Sequence, residues 1–224
     1  AVVSRHVRLD WQPAWNNWHR CAEARFGVEN VPTSPKLTQR VVAEFRAWCD
    51  KQTTLPLTNA YGGHYFSPQQ AVWIDALRAS LPERKPTRTV ALAALIQAAS
   101  QCAAAPGHTA QPFQPTRTAK PFLAQAWGND IVQRTKNAFS ALAEQFARQI
   151  GEAHVEDANT AAEQLRKGDL VFIDPPYSGV HYSRFYHVLE TIARGSCDQV
   201  SGVGRYPARA LRPRSRYSLK PESP

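Results

Sequence analysis

Apolar positions recur at helical spacing through much of the first 150 residues, and the pattern changes beyond them. Residues 1–60 are irregular overall, yet Trp11, Trp15 and Trp18 are spaced to share one helix face. Burial of those indoles is the expectation, with stacking on nucleic acid as the alternative. Leu37–Cys49 predicts an amphipathic helix with Val41, Val42, Phe45 and Trp48 inward. Tyr61-Gly62-Gly63-His64-Tyr65-Phe66 predicts a glycine turn among aromatics, with His64 as a turn histidine. Ser67, Pro68 and Gln70 then supply a cap, a first-turn proline and a capping box. Ala71, Ile74, Leu77 and Leu81 continue as a helical stripe.

Pro82–Pro86 reads as a charged break, and Val90–Ala105 as a helix apolar on most faces and therefore buried. Pro106–Pro121 predicts a loop that carries His108, Arg117 and Lys120 and no acid. A loop of that length is usually functional or disordered. Phe122–Ile150 predicts one long helix with Trp127, Ile131, Phe139, Leu142, Phe146 and Ile150 on one side and Gly128 as a point of interruption. The grammar then turns to β-α-β-α. Ala153–Ala158 reads as a short strand and turn, Thr160–Lys167 as a helix capped by Asn159 and ended by Gly168, Leu170–Ile173 as a strand, and Tyr182–Arg194 as a helix closed by Gly195. Such alternation builds a parallel sheet.

The octet Leu170-Val171-Phe172-Ile173-Asp174-Pro175-Pro176-Tyr177 carries the chemistry. Open α/β sheets place ligands at the carboxyl ends of their strands, so Asp174 is expected to face a site. Pro175 and Pro176 cannot continue a sheet and stiffen the turn that holds Asp174 and Tyr177. This suits methylation of an exocyclic amine on a nucleobase. The amine is a weak nucleophile because its lone pair is delocalised into the ring. The Asp174 carboxylate and the Pro175 carbonyl can each accept an amine hydrogen and draw the nitrogen toward tetrahedral geometry. The Tyr177 ring can stack on a base taken out of the helix. The alternative is a strand-end acid followed by a plain proline turn.

Charge adds a partner. The 224-residue chain has a formal net charge of +9 and a pI of about 9.7, which favours a polyanion. Val200–Pro224 concentrates Arg205, Arg209, Arg212, Arg214, Arg216 and Lys220 around Tyr206 and Tyr217, with Glu222 its only acid. Arginines can pair with phosphates while tyrosines stack on bases or sugars; a solvated tail is the alternative. Arg117, Lys120, Arg205, Arg209, Arg212 and Arg214 are the candidate nucleic-acid contacts. Cys21, Cys49, Cys102 and Cys197 form no CxxC pair and no zinc spacing, so no metal site is expected, and free thiols suggest the cytoplasm. No apolar run is long enough to cross a bilayer.

Together these residues resemble the S-adenosylmethionine-dependent DNA adenine-N6 methyltransferases. Phe172–Tyr177 matches their Asp-Pro-Pro-Tyr motif, Tyr182, Phe185 and Tyr186 follow it as helix-borne aromatics do in that group, and Val155–Ala158 sits where the group has a strand-end acid. The resemblance implies that Asp157 accepts a hydrogen bond from the adenine amine of S-adenosylmethionine, that Asp174 also borders the cofactor, and that the partner is DNA within restriction–modification. An Asp at the first motif position favours adenine over cytosine. The family's Phe-x-Gly-x-Gly turn has no counterpart before Tyr61, and Gly202-Val203-Gly204 lacks a preceding apolar strand. The expectation is therefore a central fragment, with a second chain able to supply the missing cofactor motif. The implied fold is α/β: a partial Rossmann-like methyltransferase sheet with a largely helical target-recognition insertion. Residues 1–150 would form that insertion, 151–198 part of the catalytic domain, and 199–224 a basic loop or tail. Methylation of RNA, or nucleic-acid binding without catalysis, are the competing functions.

Overall fold

A computed structural model describes residues 9–26, 31–145, 151–174 and 183–212. Helices dominate the described residues, and those over Gln39–Cys49, Pro68–Ala79, Ile131–Ala143 and Ala158–Glu163 begin at a residue whose side chain accepts from the N–H groups of the first turn. Helix α1 (Trp11–Phe26) packs Trp15 and Trp18 inward, 4% and 1% exposed, against Phe139. The indoles are core residues, and Trp18 Nε1 donates to the Leu77 carbonyl at 2.8 Å. Thr38 caps α2 (Gln39–Cys49), whose Val42 and Phe45 are buried.

Helix α3 (Pro56–Tyr61) has no side-chain cap of its own. The Asp75 carboxylate, from α4 (Pro68–Ala79), takes over that task. It accepts from Leu57 N at 3.0 Å, Thr58 N at 2.8 Å and Thr58 Oγ1 at 2.7 Å. A buried acid with three donors satisfies the first turn of a neighbouring helix. Burial still pushes its pKa up to about 6, against the lowering by those hydrogen bonds. Helix α4 itself starts with the expected capping box of Ser67 and Gln70. Gln70 Nε2 also donates to the carbonyls of Ala126 and Asn129, which lie at the end of α6 (Lys120–Trp127).

Between α3 and α4 the chain turns at Gly62 and Gly63. A Cβ on Gly62 would lie 2.6 Å from Cys49 Sγ, and Gly63 has φ +70° against the Arg46 backbone. Only glycine allows that approach. Helix α5 (Lys85–Cys102) begins earlier than Val90, with Pro86 in its first turn, so the charged break is shorter than its composition suggested. The single long helix expected over Phe122–Ile150 is two helices, α6 and α7 (Ile131–Ala143). Gly128 ends the first, and the Asp130 side chain accepts from Gln133 N to start the second. Phe146 and Ile150 lie outside the described residues. Helix α5 packs on α7, α1 on α4, and α9 (Ser183–Arg194) on both α3 and α5.

The expected parallel sheet is not formed among the described residues. Their only sheet is an antiparallel pair, β1 (Val200–Ser201) with β2 (Tyr206–Pro207). Neither Ala153–Ala158 nor Leu170–Ile173 is a strand. The physical reason is pairing: a strand needs a neighbour for its N–H and C=O groups, and no described element supplies one. Asp157 rather than Asn159 caps the helix that follows, α8 (Ala158–Glu163), and that helix stops short of Lys167.

Candidate active site

The two flanks of the Asp-Pro-Pro-Tyr motif differ sharply. On the amino side, every residue from Gly151 to Asp174 is exposed except the half-buried Ala161. Leu170 is 100% and Phe172 89% exposed. Asp174 ends this stretch, on the surface. Pro175, Pro176, Tyr177 and Tyr182 lie outside the described residues, as does Arg214. Asp157 is also exposed, and its Oδ1 accepts from Asn159 N at 2.9 Å and Asn159 Nδ2 at 3.0 Å.

On the carboxyl side, α9 is locked into the core. Val188 and Ile192 are 0% and 1% exposed, and His187 and Thr191 are buried beside them. The Arg78 guanidinium holds the end of the helix, with Nε on the Ile192 carbonyl at 2.6 Å and Nη2 on that of Ala193 at 2.9 Å. Thr109 Oγ1 donates to the Phe185 carbonyl at 2.6 Å near its start.

A buried polar cluster joins α9 to the β1–β2 hairpin and the glycine turn. His187 Nε2 lies 3.0 Å from the Gly204 carbonyl, and Nδ1 lies 3.2 Å from that of Arg184. The Tyr65 hydroxyl lies 2.8 Å from the Thr109 carbonyl and 2.9 Å from the same Gly204 oxygen. The rings of Tyr61, Tyr65 and Tyr206 surround the imidazole with centroids 5.6, 5.9 and 4.9 Å away. Burial lowers the His187 pKa to about 4, although the two carbonyls pull it upward. A neutral ring carries one proton, so one carbonyl at a time receives a hydrogen bond. Burial also pushes the Tyr61 and Tyr65 hydroxyls well above the usual phenol range. His64 sits in the glycine turn as expected; its Nδ1 is buried with no hydrogen-bond partner, and burial, aided by Arg46 and Arg205, lowers its pKa to about 3.

The candidate phosphate contacts divide into two kinds. Arg117, Lys120 and Arg209 are exposed. Arg205 instead ties the hairpin to α3: Nε donates to the Ala60 carbonyl at 2.7 Å, while Nη2 reaches the Asn59 carbonyl and Asp50 Oδ1. Arg212 donates to the Pro207 carbonyl at 2.8 Å and, like Arg184, lies over the Tyr206 ring. The start of the basic stretch is therefore packed structure. Sequence reasoning missed His187, Tyr65, Arg78 and Gly204. The helical stripe of α9 would place His187 beside Val188 and Thr191, but its carbonyl partners leave no trace in a side-chain pattern.

Residues 101–206 match the family described as D12 class N6 adenine-specific DNA methyltransferase. That span includes Asp157, Asp174, α9 and most of the hairpin, so the resemblance drawn from Asp174–Tyr177 is borne out. The chain is also similar to curated relatives. It is 47% identical over 47 residues to Type II methyltransferase M.FokI of Planomicrobium okeanokoites, covering 21% of this chain and 7% of that protein. It is 47% identical over 53 residues to Modification methylase LlaI of Lactococcus lactis subsp. lactis, covering 24% and 8%. To Modification methylase StsI of Streptococcus sanguinis it is 40% identical over 48 residues, covering 21% and 7%. The chain thus spans less than a tenth of each relative in these matches. No solved structure gives a significant match.

The family implies S-adenosylmethionine as methyl donor. Around Asp157 and Asp174 the described residues form no cradle for it. Asp157 and Asp174 both belong to the exposed stretch Gly151–Asp174, which contributes no buried residue to any wall around a ligand. Among the described residues no cluster of acids, histidines and cysteines could hold a metal ion, and no helix is long and apolar enough to cross a membrane.

Proposed function

We propose that the chain forms part of a site-specific DNA methyltransferase that modifies adenine at N6, acting within restriction–modification. One observation carries this: Asp174-Pro175-Pro176-Tyr177 falls inside the span that matches the adenine-specific family. Asp174 and the Pro175 carbonyl take the two hydrogens of the adenine amine, Pro176 stiffens the turn, and Tyr177 stacks on the flipped base. No strong general base is required, because the amine becomes acidic once methylated and loses its proton to solvent or a nearby acceptor. Arg117, Lys120, Arg209, Arg212 and Arg214 meet phosphates, and Arg205 contributes through the hairpin it fastens. Asp157 and Asp174 contact the cofactor only when further residues, from the same polypeptide or a second chain, enclose it. The family's description names DNA and adenine N6, which favours this reading over RNA or a non-catalytic role.

Nucleoside mass spectrometry of DNA treated with the intact protein and S-adenosylmethionine tests it. N6-methyladenine is expected. N4-methylcytosine alone, or methylation confined to RNA, overturns it.

A further inference from the structure

Two arginines that lie far apart in the chain brace one glycine turn. From α2, Arg46 donates through Nε to the Gly63 carbonyl at 2.8 Å and through Nη2 to Gln114 Oε1 at 3.3 Å. From the hairpin, Arg205 donates through Nε to the Ala60 carbonyl at 2.7 Å and through Nη2 to the Asn59 carbonyl at 3.1 Å. All three carbonyls fall within Asn59–Gly63, so the two guanidinium groups are neighbours. Each feels the other: burial is the first cause that holds the Arg46 pKa down, Arg205 is the second, and Asp50 opposes both. Asp50 lies 3.3 Å from Arg205 Nη2 with its side chain more than half exposed, where an ion pair is weak. Two positive charges against one solvated acid leave the turn short of an anion. Both arginines stay partly exposed, and each has committed Nε and Nη2, which leaves Nη1 for a ligand among the described residues. Two oddities sit at the same place. His64, in the turn, has a buried Nδ1 with no hydrogen-bond partner. Arg205 holds φ +52°, a left-handed backbone that a side chain opposes and that no other described non-glycine residue adopts. The site also joins two basic segments. Gln114 belongs to the loop that runs on to the exposed Arg117 and Lys120, and Tyr206, next to Arg205, donates to the Ala110 carbonyl of that loop.

We propose that Arg46 and Arg205 form a two-guanidinium clamp for one backbone phosphate of DNA, beside the glycine turn and between the Arg117–Lys120 loop and the hairpin. The guanidinium fork matches phosphate oxygens, and side chains already fixed through Nε and Nη2 lose little freedom on binding. The proposal rests on the DNA methyltransferase reading. It gives Arg205 a ligand besides its hold on the hairpin, and it adds Arg46, which no run of charge in the sequence marks.

The test titrates the full chain with a short DNA duplex, by fluorescence anisotropy, between roughly 50 and 200 mM salt. Arg46→Gln and Arg205→Gln are each expected to weaken binding about tenfold and to make the log–log salt slope shallower by about 0.9, the share of one phosphate. The double variant is expected to lose little more than either single, because both side chains serve the same phosphate. Arg46→Lys keeps the charge and is expected to keep the wild-type slope. Wild-type affinity or slope in the Gln variants, additive losses in the double variant, or a slope in Arg46→Lys as shallow as in Arg46→Gln overturns the proposal. The wild type gives a second readout that needs no variant to fold: the His64 imidazole resonances are expected to shift when the duplex is added. Resonances that stay in place overturn the clamp, and an equal shift with inorganic phosphate at the same phosphate concentration overturns its assignment to DNA. A wild type that shows these signatures yet methylates nothing overturns the methyltransferase reading instead, and the clamp stands.

Discussion

Acidification should unfold this chain earlier than its count of acids suggests, because the histidines that matter are buried and neutral. His187 has a folded pKa of about 4 and His64 of about 3, both below the ordinary 6.5. A depressed histidine contributes stability in full above its unfolded pKa, and loses it as pH falls toward the folded value, because only the unfolded chain takes up the proton. By about pH 5, His187 then costs roughly 2 kcal/mol, and His64, which is only partly buried, about 1 kcal/mol after allowance for solvent. Asp75 works the other way. Its folded pKa of about 6 lies above the ordinary 3.8, so its burial penalty is relieved as pH falls through that window. That relief returns about 1 kcal/mol by pH 5. The net loss between about pH 7 and pH 5 is roughly 2 kcal/mol, near 1 M in the urea midpoint for a slope of about 2 kcal/mol/M. Urea titrations of the 224-residue chain at the two pH values measure it. His187→Gln, which cannot titrate, should remove most of the dependence. A midpoint that is unmoved or higher at pH 5, or a His187→Gln chain with the full wild-type slope, would refute burial as the cause.

Trp18→Ala should lower stability by about 3–5 kcal/mol in the same titration, since it empties a fully buried site and orphans the Leu77 carbonyl. A loss under about 1 kcal/mol would place the indole outside the core. Asp174→Ala in the intact protein should reduce methylation at least ~100-fold while DNA affinity holds, as for deletion of a transition-state acceptor; near-wild-type turnover would remove Asp174 from the chemistry. Calorimetry of the 224-residue chain with S-adenosylhomocysteine should show weak binding or none, and micromolar affinity would mean that a cofactor pocket exists outside the exposed Gly151–Asp174 stretch. DNA binding by the same chain should weaken with salt at a log–log slope of about −4.5, for about five phosphates neutralised; a slope near zero would deny the exposed arginines their role.

The sequence was most legible where a side chain acts on its own neighbourhood. Ser67 and Gln70 form the capping box their spacing announces, and the Trp15–Trp18 face packs as its periodicity requires. It was least legible where a group serves a distant element. Asp75 caps a helix 17 and 18 residues back, and Tyr65 meets a carbonyl 139 residues on. Such bonds have no period. Leu170–Ile173 failed differently: its apolar, β-branched content is that of a strand, but composition cannot supply the strands beside it. Gly128 was flagged as an interruption and is one, with Asp130 two residues on restarting the helix. The Asp174–Tyr177 motif was legible because its four residues are contiguous in the sequence, whereas His187 was not, because its partners are backbone atoms.

The exposed run Leu170-Val171-Phe172-Ile173 has a consequence for handling the molecule. It holds no proline, glycine or charge, the composition that stacks into intermolecular cross-β ribbons. Asp169 and Asp174 bracket it, one at each end, as gatekeepers whose charge repels a second copy of the same segment. The carboxylate proposed to bind the base amine thus also sits where its charge would oppose self-association, and Asp174→Ala or Asp174→Asn removes that charge. Asp174 variants should form aggregates at concentrations where the wild type stays dispersed, and rates for them are meaningful only per dispersed molecule.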